Sequence, residues 1–197
     1  ISFVLVGRND NYGGDFKQRL QTCITTLFRQ LVDHGVSAEI LFVNYNPLPS
    51  PVITDFIKWP TSTDKVTIKI ITVSSGTHQK FVETSGVDDV PVLEYPAKNA
   101  GIKRANGTYI LAMNPDIVLD DLFFETISWF NKNHYYRANR VDYYLPAGEE
   151  IHSNILDYAK NNVTKVWVKA ISKSVKRGPI SNLKFRCIVF QSKLEIL

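Results

Sequence analysis

Hydrophobic and polar positions follow two different periods along this chain, and each switch between them marks an element. The opening ISFVLVG is an apolar run of strand length, closed by the polar loop NDNYGG. From Asp15 to His34, Phe16, Leu20, Ile24, Leu27 and Leu31 recur at helical spacing, with Asp15 placed to cap the helix and Gly35 to end it. AEILFVNYN predicts a second strand, followed by the turn PLPSP, and ITDFIKWP a short helix. KVTIKIITVS, rich in β-branched residues, predicts a third strand. HQKFVETSG suits a helical turn, VPVLEYP an extended piece, and Asn99 to Ala105 a short helix. TYILAMN predicts an inner strand and DDLFFETISWFNKN an amphipathic helix. Beyond them YYRANRVDYYL, NILDYAKN, TKVWVKAIS and LKFRCIVFQ predict strand, helix, strand, strand. Such alternation implies an α/β fold with a largely parallel sheet and flanking helices.

Composition adds limits. A length of 197 residues suits one domain with a substantial core. No apolar stretch approaches the roughly 20 residues of a transmembrane helix. Cys23 and Cys187 lie far apart, which argues against a zinc site or disulfide scaffold and favours a reducing, cytoplasmic setting. The chain begins at Ile1, already in strand pattern, as a domain cut from something longer would, which leaves room for an upstream targeting segment. The net charge of +4 is unevenly spread. Nine Lys and Arg residues, with no Asp or Glu, fall between Lys160 and Lys193, so the rest of the chain is net negative.

In open α/β sheets, ligands bind outside the carboxyl ends of the strands. Three predicted strand ends are polar: Gly7-Arg8-Asn9-Asp10, Asn44-Tyr45-Asn46 and Asn114-Pro115-Asp116. Brought to one edge they would line a crevice of nucleotide size. A carboxylate just past a strand, with Lys and Arg nearby, suits Mg²⁺ or Mn²⁺ on a diphosphate. The alternative for Asp116 is a cap on the helix that begins near Asp120.

The stretch KNAGIKRANGTYILAMNPDIVLDD (98–121), with GRNDNYGGDF and YYRANRVDYY, resembles family 2 glycosyltransferases of the GT-A fold. Lys98-Asn99, Gly101, Ala105 and Gly107 match that family's run before its D-x-D strand, and Asn114-Pro115-Asp116 takes the D-x-D place. The likeness spans residues 1 to about 145. It implies a single domain with a nucleotide-sugar half at 1–121 and an acceptor-side half at 122–197. It also implies transfer of a sugar from a nucleotide-diphosphate donor to a glycan, protein or lipid hydroxyl, usually with inversion and with Mn²⁺ or Mg²⁺.

By the same resemblance Gly7, Arg8, Asn9 and Asp10 hold base and ribose, and Asn44 stands where an acidic residue commonly contacts the base. Lys98 replaces an Arg and neutralises diphosphate as a point charge. Asn99 belongs to the matched run, and Gly101 lets backbone approach the donor. Arg104 is either a further donor contact or a solvated helix charge. Asp116 is the matched metal ligand, while Asn114 is a weak ligand or touches ribose. The catalytic base is expected from a later carboxylate, with Glu149 and Glu150 the candidates. Two alternatives stand beside this: a GT-A-like domain that binds without turnover, and a module that uses the basic 160–193 segment on an anionic surface. Nucleic acid is the poorer partner for that segment, since no helix-turn-helix, RNP or zinc signature accompanies it.

Overall fold

Every residue of β1 (Ser2–Gly7) and β2 (Ala38–Tyr45) is buried, as strands covered on both faces must be. The computed structural model describes residues 1–88 and 90–131 in full. Beyond them it describes the backbone of strands at 136–137, 140–145, 163–168, 171–174, 183–188 and 195–196. The chain divides into two compact units, Ile1–Pro115 and Asp116–Leu197. Among the described residues no helix is long and apolar enough to cross a membrane.

The first unit is an α/β layer structure. Its four strands run parallel in the order β3-β2-β1-β4, with β3 at Val66–Val73 and β4 at Ile110–Met113. Helix α1 (Phe16–Asp33) buries Phe16, Leu20, Ile24, Leu27 and Leu31, the stripe read from the sequence. Its start differs from expectation. Asp15 occupies the cap position in a left-handed conformation, but its side chain makes no cap bond. The Phe16 N–H donates instead to Asn11 Oδ1 at 3.3 Å. Gly35, at φ 63°, ends the helix as expected, with Val36 N–H returning to the Leu31 carbonyl.

Short α2 (Ile53–Phe56) follows β2, and α3 (Ser75–Ser85) runs longer than the single turn predicted, capped by Ser74 Oγ on Thr77 N–H. Helix α4 (Glu94–Ile102) begins five residues before the predicted Asn99, inside the stretch read as extended. Pro96 lies in its first turn, where a missing N–H costs no intrahelical bond. Ala97 and Gly101 of α4 face the sheet; a Cβ on Gly101 would stand 2.5 Å from Val4 Cγ1. By strand alternation Val4, Val6, Val43 and Tyr45 form the α4 face, while Gly7 and Phe42 meet Phe16 of α1 on the other. Among the described residues strand β4 pairs only with β1, so it stands at the edge of this four-stranded sheet rather than as an inner strand.

In the second unit, Ile117–Leu119 form a strand (β5) where the sequence suggested only a turn. Helix α5 (Asp121–Thr126) follows, prolonged by one 3₁₀ turn at Ile127–Trp129. Strands β6 (Tyr136–Arg137), β7 (Arg140–Leu145), β8 (Val163–Val168), β9 (Ile171–Ser174), β10 (Leu183–Ile188) and β11 (Glu195–Ile196) complete it. Its five-stranded sheet, ordered β5-β10-β7-β8-β9, is antiparallel except between β5 and β10. The largely parallel sheet expected for the whole chain is therefore confined to the first unit. Of its antiparallel pairs, β7–β8 and β8–β9 join consecutive strands of the described chain. The predicted helix NILDYAKN lies outside the described residues.

One carboxylate ties the foot of the parallel sheet together. Glu39 on β2 accepts from Ser2 Oγ of β1 at 2.7 Å, from Lys69 Nζ of β3 at 2.8 Å, and from the Asn106 backbone N–H just before β4. Burial alone would raise its pKa. Lys69, the Asn106 N–H and the Ser2 hydroxyl more than offset that, and hold it at about 2 instead of 4.5. Because the folded pKa is the lower one, acidification protonates the unfolded chain first. The stabilisation, on the order of 3 kcal/mol, is complete above about pH 4.5 and is lost as pH falls towards 2. Glu39→Gln should therefore lower the urea midpoint at pH 7 and flatten its decline between pH 5 and 2. An unchanged acid profile in the variant would mean that the stability lost there comes from other carboxylates.

Candidate functional site

The parallel strands end together, and their carboxyl edge carries the polar residues singled out in the sequence. Gly7 of β1 is the register partner of Asn44 of β2, which puts both on the α1 face at the last rungs of the ladder. Helix α4 runs from this edge back to the foot, so its first turns stand here as well. The described segments that meet the edge include the loop from Arg8 to Asp15, the turn after Tyr45, the start of α4 and the end of β4.

Two residues expected to touch ligand fill structural roles in this arrangement. Asn9 is buried, and its amide clamps the turn after β2. Its Nδ2 donates to the carbonyls of Leu48, at 2.8 Å, and Pro51, and its Oδ1 accepts from Leu48 N–H at 2.7 Å. With both amide atoms committed, Asn9 shapes the edge and has no Nδ2 proton left over for a base or ribose. The approach that Gly101 permits is that of α4 to β1 and β2, a packing role rather than an opening for a donor. Arg104 is exposed and donates to the Ala100 carbonyl at 2.9 Å, as a helix-end charge does. Asn99 is exposed on α4.

Other residues are left with unmet hydrogen-bonding capacity. Asn44 is 4% exposed, and its Oδ1 has no hydrogen-bond partner among the described residues. Arg8 forms a 3.5 Å ion pair with Asp10 through Nη1, while its buried Nε has no partner among those residues. A buried donor or acceptor without a partner costs about 1–3 kcal/mol. One such atom on a central strand and another one residue past its neighbour mark an edge shaped for something polar.

The loop between them is fixed. Tyr12 N–H donates to Asp10 Oδ1 at 3.1 Å, and buried Arg19 donates to the carbonyls of Tyr12 and Gly14. Gly13, Gly14 and Asp15 are all left-handed, and for Asp15 that conformation is strained. Tyr12, which no motif singled out, stands on this loop 77% exposed.

Lys98 lies between α4 and the end of β4. Its Nζ is 2.5 Å from Glu94 Oε1 and 3.3 Å from Asn114 Oδ1. Asn114 therefore already has a cation on its only carbonyl side-chain oxygen. Among the described residues no three His, Cys, Asp or Glu side chains gather into a metal-holding group. Around Asn114 the first unit's donors do not suit a divalent ion: one amide oxygen already bonded to an ammonium, and one carboxylate, Glu94, paired with that ammonium, while Asp10 is paired with Arg8. Asp116 opens the second unit and is buried just before β5. It does not cap α5; Asp120 does, accepting from Phe123 N–H at 3.2 Å. Glu149 and Glu150 lie outside the described residues, as do the side chains of the basic 160–193 segment.

No family model, curated protein or solved structure matches the chain.

The two buried asparagines at this edge give opposite expectations. Asn9→Leu breaks the clamp and strands the Leu48 N–H and two carbonyls, so it should cost about 1–3 kcal/mol. Asn44→Leu removes an orphaned acceptor and should leave the denaturation midpoint unchanged or raised. Urea titration of both variants decides. Equal losses would make Asn44 a structural residue and remove the main reason to place a ligand here.

Proposed function

We propose that the carboxyl edge of the parallel sheet binds a nucleotide-diphosphate sugar and that the protein is a glycosyltransferase of GT-A type. The observation that carries this is Asn44: a central-strand amide, buried and with its acceptor unmet, at the place where open parallel sheets receive ligands. The 3-2-1-4 parallel order and the resemblance of residues 98–121 support the same conclusion.

Each group has a part in such a reaction. Arg8 Nε and Asn44 Oδ1 offer a donor and an acceptor to base or ribose. Lys98, held by Asn114, offers positive charge to the diphosphate. In transfer, the bond from the anomeric carbon to the diphosphate oxygen breaks, with its electron pair leaving on the diphosphate. The acceptor oxygen bonds to that carbon and gives its proton to a base. Stabilising the departing diphosphate is the electrostatic task that a positioned cation performs. No step is assigned to a metal; by the resemblance Asp116 would hold one.

A thermal-shift panel tests this, using UDP, GDP and ADP, their sugar conjugates, and heparin. One nucleotide diphosphate should raise the melting temperature, with stabilisation of about 2.7 kcal/mol at a hundredfold excess over its Kd. Arg8→Ala and Asn44→Leu should abolish the shift. A response to heparin alone would favour an anionic-surface module. A shift without turnover of any sugar conjugate, across a panel of acceptor sugars, would favour the binding domain.

A further inference from the structure

We infer that Asn106 is a site of spontaneous covalent modification: the closed foot of the parallel sheet holds off its deamidation, and deamidation, once it occurs, keeps the foot from closing. Asn106-Gly107 is the chain's single Asn-Gly pair. In such a pair no side chain shields the second residue's backbone nitrogen, so that nitrogen can reach the asparagine Cγ. A bond forms from the Gly107 nitrogen to the Asn106 Cγ, and the bond from Cγ to Nδ2 breaks. The Gly107 N–H proton leaves with the Asn106 nitrogen as ammonia. Water then opens the succinimide ring to aspartate or isoaspartate, and no other reactant is needed.

Both members of the pair are imposed by the fold. A Cβ on Gly107 would stand 2.6 Å from the Ser2 backbone nitrogen and 2.7 Å from the Ile1 carbonyl carbon, so nothing larger fits without moving β1. Asn106 spans both oxygens of Glu39, with its backbone N–H on Oε1 and its Nδ2 on Oε2 at 3.3 Å. The same contacts restrain the reaction. Gly107 N–H donates to Ser2 Oγ at 2.8 Å, and Ser2 donates in turn to Glu39 Oε1 at 2.7 Å. The carboxylate at the end of this relay, with a pKa of about 2, is too weak a base to draw the proton through. The nucleophile is thus kept as N–H and the amide is kept on Glu39, until local opening of the foot releases both. The product cannot restore the lock. It has no Nδ2 to donate, and it sets a second carboxylate against Glu39, where like charges repel strongly. The Lys69 ammonium, 2.8 Å from Glu39 Oε2, would then be shared between two carboxylates. Isoaspartate also lengthens the backbone by one methylene just before β4.

Peptide mass mapping of protein incubated at pH 7, folded and in urea, reads the modification at residue 106. The folded protein should deamidate there about tenfold or more slowly than the unfolded chain, because only the open foot reacts. Ser2→Ala, which frees the Gly107 N–H, should speed the folded reaction by about two- to tenfold, the scale of one lost hydrogen bond. Circular dichroism of that variant shows whether the sheet persists. Asn106→Asp installs the aspartate product, and its urea midpoint at pH 7 should lie below that of Asn106→Ala, which loses the same side-chain bond without adding a charge. Equal rates in folded and unfolded protein overturn the inference. So does a folded Ser2→Ala variant that reacts at the wild-type rate. An Asn106→Asp variant as stable as Asn106→Ala overturns it as well, since the foot would then close over the product.

Discussion

Burial of Glu39 at the foot of the parallel sheet is the constraint on which the rest of the first unit depends. A carboxylate can be taken out of water only if its oxygens are met, and here β1, β3 and the turn before β4 all contribute a donor. Side chains alternate faces along a strand, so slipping any pairing by one residue would carry those donors to the wrong face. Ser2 opposite Glu39 sets the same β1–β2 register that puts Gly7 opposite Asn44 at the far end, roughly 16 Å away along β2. The foot of the sheet is thus closed and satisfied. The carboxyl edge is where unmet polar atoms are tolerated.

That division explains which parts of the fold were legible in the sequence. β1, β2, β3 and α1 have long, unmixed patterns, and each forms close to where its pattern places it. α4 was displaced because Pro96 reads as a break, although proline is at home in a first helical turn. β5 was missed because Asp116, Asp120 and Asp121 surround only three apolar residues, too few for a periodic signal. β4 looked internal from its apolar run, yet Ile110 is exposed at 43% and the strand has one partner in this sheet. Edge and centre differ in pairing, and pairing is a long-range fact that no local pattern holds.

Composition pointed to the carboxyl edge but not to the work of each residue there. Asn9 and Asn44 are the same amino acid, both buried, both at strand ends. One has carbonyls and an N–H from the 48–51 turn within reach, and the other sits among strands whose backbone groups are already paired. Only the tertiary neighbours separate a clamp from an orphan. Arg19 likewise reads as a polar position on a helix, whereas it is buried and holds the carbonyls of the glycine loop.

Lysine at position 98 makes sense in the same physical terms. An arginine fork would meet a diphosphate in two parallel bonds and would need room for a planar group. A lysine brings a compact ammonium whose protons can be divided among three directions, so one residue can bond its own helix, the neighbouring strand end and a ligand together. Asn114 is the matching choice on the strand, since an amide oxygen orients the ammonium without neutralising it. An aspartate there would neutralise the ammonium. The amide of Asn114 and the lysine on α4 are therefore best understood as one device, a cation oriented by a strand end that does not neutralise it.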